Sequence, residues 1–382
     1  MATVATDPLG IRDALPQPPD TLAQVRDYYG STLQGSKDLK TSACCCAPDS
    51  ASPEVREVLA LVAPEVLERF YGCGSPLPPL LEGCTVLDLG CGTGRDCFVA
   101  SKLVGPQGHV IGIDMTPEQI AVARRYEAVQ AERFGYAAPN TAFLDGYIED
   151  LAAAGIADGS VDVVISNCVI NLSPAKEQVF REIYRVLKPG GELYFSDVFA
   201  DRRLPREAQS DPVLRGECLG GALYAEDFRR LLARAGWADF RYMGSSPVSV
   251  DDGELYAKVG MVAFSSRTVR AFKLDSLEDL CEDYGQVAVY KGTIPGFLHH
   301  FDLDDHHRFL TGKPRLVCGN TAAMLSETRF APHFCVTGDR SAHYGAFACG
   351  TFGGSDGHGG SACDNGVGPV ATGDPENNGG CC

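Results

Sequence analysis

Residues 84–96, CTVLDLGCGTGRD, run an apolar stretch directly into three glycines spaced two apart. The stretch Thr85–Leu89 is too short for a helix and is bounded by turn signals, so it reads as a buried strand. Gly90, Gly92 and Gly94 then read as a turn that opens a helix near Arg95. A strand, a glycine turn and a helix in that order point to a parallel sheet, because parallel neighbours are joined only through a crossover.

The flanking sequence repeats the pattern. HVIGID (109–114), NTAFLDG (140–146), SVDVVISN (160–167) and ELYFSDV (192–198) carry the second to fifth strands. The fourth is almost continuously apolar, as a strand covered on both faces should be. Helices are predicted from Thr116-Pro117 toward Phe134, over 174–187 and over 226–236. Upstream, Ser52 and Pro53 form a start signal, and Val55, Val58, Leu59, Val62 and Val66 predict one helix over 53–72. Residues 240–274 read as mostly strand. Residues 275–345 read as a small α+β domain, with a strand near Tyr284–Tyr290 and a polar loop over 299–307. Twelve glycines among residues 345–382 predict a disordered tail. The expected organisation is therefore an N-terminal segment (1–52), a cofactor-binding α/β domain (53–274), a small C-terminal α+β domain (275–345) and a Gly/Cys tail (346–382).

A formal charge of −17 argues against nucleic acid or an anionic membrane as the main partner, which leaves a small molecule. Residues 1–20 have no basic start followed by an apolar run, and no stretch approaches the ~20 apolar residues of a membrane span. A cytoplasmic protein is expected. In that reducing compartment, sixteen cysteines are a large number, and clustered thiols there more often bind or react than staple a fold. No CxxC occurs, so a zinc ribbon is not the reading. TSACCC (41–46) is the densest cluster.

The glycine spacing is GxGxG and not the GxGxxG that cradles a pyrophosphate. S-Adenosylmethionine has no pyrophosphate; it needs an acidic partner for its α-ammonium, a role that fits Asp88. Asp114 closes the second strand, where a carboxylate can accept from ribose hydroxyls, and the segment Asp145–Ile148 follows the third, where adenine would lie. At the fourth strand's edge, SNCVINLSP offers Cys168 to an acceptor and no histidine to act as a base. GECLGGAL brings Cys218 beside Glu217, and FYGCG sets Cys73 between two glycines. Each of these cysteines alone reads as a small buried hydrophobe. Together they suit a soft, thiophilic centre such as trivalent arsenic, which binds three thiolates and keeps a lone pair.

YGCG (71–74), LDLGCGTGRDC (87–97), GIDMT (112–116), GYIE (146–149), SNCVINL (166–172), GGELYFSDV (190–198) and GECLGGALY (216–224) together resemble the arsenite S-adenosylmethionine methyltransferases. ETRFAPHF (327–334) extends the resemblance into the family's second domain, so that it covers about residues 20–340. It implies a Rossmann-like class I methyltransferase sheet with a small C-terminal α+β domain. It also implies methylation of thiol-bound arsenic(III) to mono-, di- and trimethylated products. By resemblance, the cofactor residues are Tyr71, Asp88, Gly90, Gly92, Gly94, Arg95, Asp114, Met115, Gly146, Ile148, Glu149 and Asn167. Cys168 and Cys218 are the implied persistent arsenic ligands, Cys73 joins them, and Cys44 is the implied redox partner of Cys73. The tandem Cys45-Cys46 departs from the family pattern, which leaves the choice among the three thiols open. A Cys44–Cys73 disulfide would be recharged by thioredoxin or glutathione, and a monomer is expected. Cys84, Cys91 and Cys97 read as packing residues, and Cys381-Cys382 as arsenite scavengers or as idle. Two rivals remain at this point: a methyltransferase for a small organic acceptor, and a non-catalytic metalloid-binding protein.

Overall fold

The computed structural model describes residues 21–27 and 53–348. The TSACCC run, with Cys44, lies outside the described residues, as does the tail beyond 348. The first elements are helices α1 (Thr21–Asp27), α2 (Pro53–Leu59) and α3 (Pro64–Glu68). The single helix predicted over 53–72 is thus two. Pro64 has no N–H to continue the ladder and drives Ala63 into extended backbone, at φ −62° and ψ 136°.

The predicted alternation follows: β1 (Thr85–Leu89), α4 (Arg95–Val104), β2 (His109–Asp114), α5 (Pro117–Phe134), β3 (Thr141–Asp145), β4 (Val161–Asn167), α6 (Lys176–Val186) and β5 (Leu187–Ala200). The strands β1 to β5 pair in parallel in the order β3-β2-β1-β4-β5. This order reverses direction between β1 and β4, and such a switch point opens a crevice at the carboxyl edge. β5 runs longer than the predicted 192–198 at both ends and absorbs the Lys188–Gly191 turn through a register shift opposite β4.

Beyond β5 come α7 (Arg206–Ser210), α8 (Pro212–Gly216), β6 (Leu223–Tyr224), α9 (Ala225–Arg234), β7 (Arg241–Val248), α10 (Gly253–Val259) and β8 (Phe264–Phe272). The strand-rich reading of 240–274 missed α10. Its N-cap is Asp252, whose Oδ1 accepts from the N–H groups of Glu254 and Leu255 at 2.9 and 3.0 Å. β8 lies antiparallel between β5 and β7, so one flank of the sheet is antiparallel. Apolar side chains fill both sheet faces, Phe180, Phe195 and Phe228 on one and Phe98 and Phe143 on the other.

The C-terminal part contains β9 (Gln286–Tyr290), β10 (His300–Asp302), β11 (Arg308–Leu310), β12 (Pro314–Val317), α11 (Gly319–Ser326) and β13 (Phe334–Thr337). β9 is the centre of a three-stranded antiparallel sheet, with its own apolar core around Tyr290, Phe301 and Phe330. The stretch read as a polar loop over 299–307 holds β10 and a buried Asp304–His307 pair at 2.8 Å. The charges that suggested a loop are paired internally. Tyr284 falls outside β9.

A buried carboxylate joins the two parts. Glu192 of β5 receives the Arg270 guanidinium of β8 at 2.5 Å and that of Arg329, while Arg270 also donates to the Leu303 carbonyl. Arg270 and Glu192 are both fully buried. Breaking such a cluster leaves uncompensated charge, so Glu192→Gln should cost about 3–5 kcal/mol. Urea unfolding followed by Trp237, the single tryptophan, measures this; an unchanged midpoint and slope would show that the cluster is not what couples the two parts.

Candidate active site

The carboxyl ends of β1, β2, β3 and β4 frame a cleft open to solvent at its mouth. Gly90 carries the turn after β1 at φ +70°, and a Cβ there would lie 2.4 Å from Val169 Cγ1. Only glycine fits this passage. The Gly90 and Cys91 N–H groups donate to the Ile113 carbonyl, and the Gly92 N–H donates to Asp114 Oδ2 at 2.9 Å. Asp114 Oδ1 accepts from the Thr116 N–H at 2.9 Å, which turns the chain into α5. The ends of the first two strands are thereby locked together by backbone donors.

Of the residues implied for the cofactor, Tyr71, Asp88, Gly90, Gly92, Arg95, Asp114, Met115, Gly146, Ile148, Glu149 and Asn167 all line the cleft. Gly94 does not; it caps α4 at φ +87°, packed under Phe143. Several lining residues were missed, among them Phe70, Asp96 and Val169. Phe70 lies under the Arg95 guanidinium at 3.8 Å, and Asp96 pairs with Arg95 at 2.8 Å. A helix N-terminus following a glycine loop is a place where the first-turn residues face the ligand, so Asp96 had a usable signal beside Arg95.

The electrostatics are those of a crowded acidic pocket. Burial, and then the Asp96 carboxylate, push Asp88 well above the usual carboxylate range, against the Cys97 thiol that donates to it at 3.2 Å. Burial raises Asp114 as well, against the pull of its backbone donors. An incoming cation would relieve both. Burial also drives the Cys91 thiol up to about 11 and the Cys97 thiol well above its normal range, which suits packing and not reactivity.

The cysteines gather at the end of β4, beside Ser196 and Asp197 of β5. Cys73 and Cys168 are joined as a disulfide with Cα atoms 5.8 Å apart, and the Asp197 carboxylate lies within 4.8 Å of both sulfurs. The Cys218 thiol donates to the Cys168 carbonyl at 3.0 Å. Cys168 lines the cleft directly, whereas Cys73 and Cys218 are not part of its lining. Three non-glycine residues among those described have positive φ, and two are Cys168 at 59° and Cys218 at 62°. Left-handed backbone at a residue with a Cβ costs on the order of 1–2 kcal/mol. Its concentration at two of three implied ligands marks a site where shape is subordinate to placing sulfur.

Asn167 ties the thiol cluster to the cofactor cleft. Its Oδ1 accepts from the N–H groups of Cys73 and Gly74 at 2.9 and 3.1 Å. Its Nδ2 donates to the Gly74 carbonyl and to Asp96 Oδ2, both at 2.9 Å. A Cβ on Gly72 would fall 2.7 Å from the Asn167 side chain, and one on Gly74 would fall 2.3 Å from Ser196 Oγ. The glycines of YGCG therefore let this segment approach the ends of the sheet. Asn167→Ala removes four hydrogen bonds and should cost about 2–4 kcal/mol at roughly 1 kcal/mol each. It should also speed alkylation of Cys73 in the reduced protein, as read by peptide mass mapping; an unchanged alkylation rate would mean that Cys73 is held by other contacts.

A family profile described as "Methyltransferase domain" matches residues 80–236, and one described as "Arsenite methyltransferase C-terminal domain" matches residues 284–351. An arsenite methyltransferase of Aquipseudomonas alcaligenes is 58% identical over 85% of this chain and 94% of its own length. The human arsenite methyltransferase is 43% identical over 82% of each chain. Among solved structures, CrArsM, an arsenic(III) S-adenosylmethionine methyltransferase from Chlamydomonas reinhardtii, is 56% identical, with a TM-score of 0.76 over 78% of this chain and 99% of that one. With such identity carried across both parts of the fold, the chain belongs to the arsenite methyltransferase family.

Proposed function

We infer that this protein transfers the methyl group of S-adenosylmethionine to thiol-bound trivalent arsenic. The observation that carries this reading is the convergence of Cys73, Cys168 and Cys218 at the edge of a cleft whose walls suit that cofactor. Neither an organic acceptor nor a non-catalytic role is favoured, since the relatives named above are arsenite methyltransferases.

The donor set fits S-adenosylmethionine. Asp88, raised by burial beside Asp96, is placed to take a cationic ammonium, and Asp114 to accept from ribose hydroxyls. Ile148 and Met115 supply apolar wall. Bound there, the cofactor supplies an electrophilic methyl group on a sulfonium. The protein's part is to hold the acceptor: thiolates are soft ligands that retain arsenic(III) with its lone pair free for in-line displacement.

In the disulfide form, Cys73 and Cys168 have no thiolates to offer arsenic. A two-electron thiol reductant, such as glutathione or thioredoxin, opens the site before loading. Cys44 remains the proposed redox partner of Cys73 in the catalytic cycle, and it lies outside the described residues. The pairing of Cys73 with Cys168 means that Cys73 exchanges partners in that scheme. Among the described residues no helix is long and apolar enough to cross a membrane. A reducing cytoplasm and a monomeric chain complete the proposal.

Two tests follow from separating the cofactor walls from the thiols. Asp88→Ala and Asp114→Ala should each weaken S-adenosylmethionine binding by about 10–100-fold, the worth of a charge-assisted hydrogen bond, with arsenite binding unchanged. Calorimetry settles this, and native cofactor affinity in both variants would remove the assignment. Cys168→Ser and Cys218→Ser should each abolish methylation of arsenite and of methylarsenite, because a hydroxyl is a hard, poor arsenic ligand. Cys73→Ser should affect arsenite more than methylarsenite, which has only two exchangeable oxygens. Equal loss on both substrates in Cys73→Ser would remove its role as a third ligand.

A further inference from the structure

The Asp197 carboxylate, within β5 three residues before its end, is not among the residues implied for either ligand. It is almost wholly buried, at 2% exposure, and one of its oxygens lies within 4.8 Å of both the Cys73 and Cys168 sulfurs. Its Oδ2 accepts from the Asn171 N–H at 3.0 Å and its Oδ1 from the Val198 N–H at 2.9 Å. These two donors orient the group, and burial pushes it up to about 7 against the pull of those donors and of the Lys176 ammonium. A carboxyl group has more acceptor sites than two donors fill, so capacity is left for a ligand. Burial of a carboxylate is costly, and backbone donors alone could have been met by water or by a neutral amide. What the geometry supplies here is open acceptor capacity beside the two sulfurs.

We propose that Asp197 is a substrate-contacting residue that accepts a hydrogen bond from the hydroxyl remaining on arsenite during thiol exchange at Cys73 and Cys168. The proposal rests on the arsenic-methylating reading above and assigns the carboxylate a part in it. Loading starts after a monothiol such as glutathione reduces the disulfide: two glutathiones give up two electrons and two protons, yielding two cysteine thiols and glutathione disulfide. Arsenite, As(OH)₃, then reacts with two thiols. Two As–O bonds break, two As–S bonds form, and each thiol proton leaves with a hydroxide as water. Arsenic stays trivalent, carries one hydroxyl and keeps its lone pair. That hydroxyl donates to Asp197, which fixes the orientation of the arsenic until a third thiol displaces it. An arsenic already ligated by three thiols has no hydroxyl, and Asp197 has nothing to accept from it.

This difference supplies the test. Loading of the reduced, full-length protein is measured by rapid quench and mass spectrometry from free arsenite, and separately from preformed tris-glutathionyl arsenic. Asp197→Asn should slow loading from free arsenite by about 10-fold or more, the worth of a hydrogen bond to a charged group. Loading from the tris-glutathione conjugate should stay within about 2-fold, since that bond is absent there. Asp197→Glu, which keeps a carboxyl acceptor, should recover part of the arsenite rate. Equal slowing on both arsenic forms would assign Asp197 to holding the Asn171 and Val198 backbone only, and no slowing on either would remove it from loading; both results overturn the proposal. If Asp197→Asn does not fold, as judged by calorimetric binding of S-adenosylmethionine, Asp197→Glu against the native protein carries the same comparison. A native protein that takes up neither form of arsenic would instead defeat the reading on which the proposal rests.

Discussion

Everything at the reacting edge of this molecule depends on the carboxamide of Asn167. It stands at the last position of β4, opposite Ser196 of β5. One side chain binds the backbone on both sides of Cys73 and also reaches Asp96 in the first turn of α4. The loop that delivers a thiol and the helix that walls the cofactor cleft are therefore referenced to a single amide plane. An acceptor and a methyl donor must be held to within a few tenths of an ångström for displacement. A shared hydrogen-bonding group keeps the two halves of the site from drifting independently.

The central sheet was legible because its signals are local. Strands β1 to β4 are short runs bounded by turn signals, and burial on both faces of β1 and β4 left those two little sequence freedom. The cleft was legible for the same reason, since Asp88, Gly90 and Asp114 sit at fixed offsets from strand ends. Where reading failed, the deciding interaction was not local. The break at Ala63–Pro64 was visible in principle, yet the valine periodicity across it outweighed the proline. α10 depends on a two-bond Asp252 cap within a stretch of β-branched residues, and the hydrophobic pattern alone does not reveal it. The segment 299–307 looks like a solvated loop until Arg241 is brought to Asp304 from β7, beside the local pair of Asp304 with His307.

The thiols illustrate a further limit. Their presence was read from composition and resemblance, and no spacing in the chain announces that Cys73 and Cys168, 95 residues apart, share a bond. Nor could sequence alone single out Asp197 from the other acidic residues. Its role depends on β5 running beside β4 in parallel register, Asn167 opposite Ser196, which places the following residue against the sulfurs. The resemblance supplied a list of cysteines, and the sheet register supplied what surrounds them.

The left-handed backbone at Cys168 and Cys218 has a consequence for anyone who would improve this protein. At φ near +60° glycine is the residue the backbone tolerates best, so replacing either cysteine by glycine relieves local strain. Against that relief stand the cavity left by a buried side chain and, at Cys168, the loss of the disulfide, so a glycine at either position is expected to lower the melting temperature. Backbone fit and buried sulfur pull in opposite directions there, and the sulfur outweighs the strain.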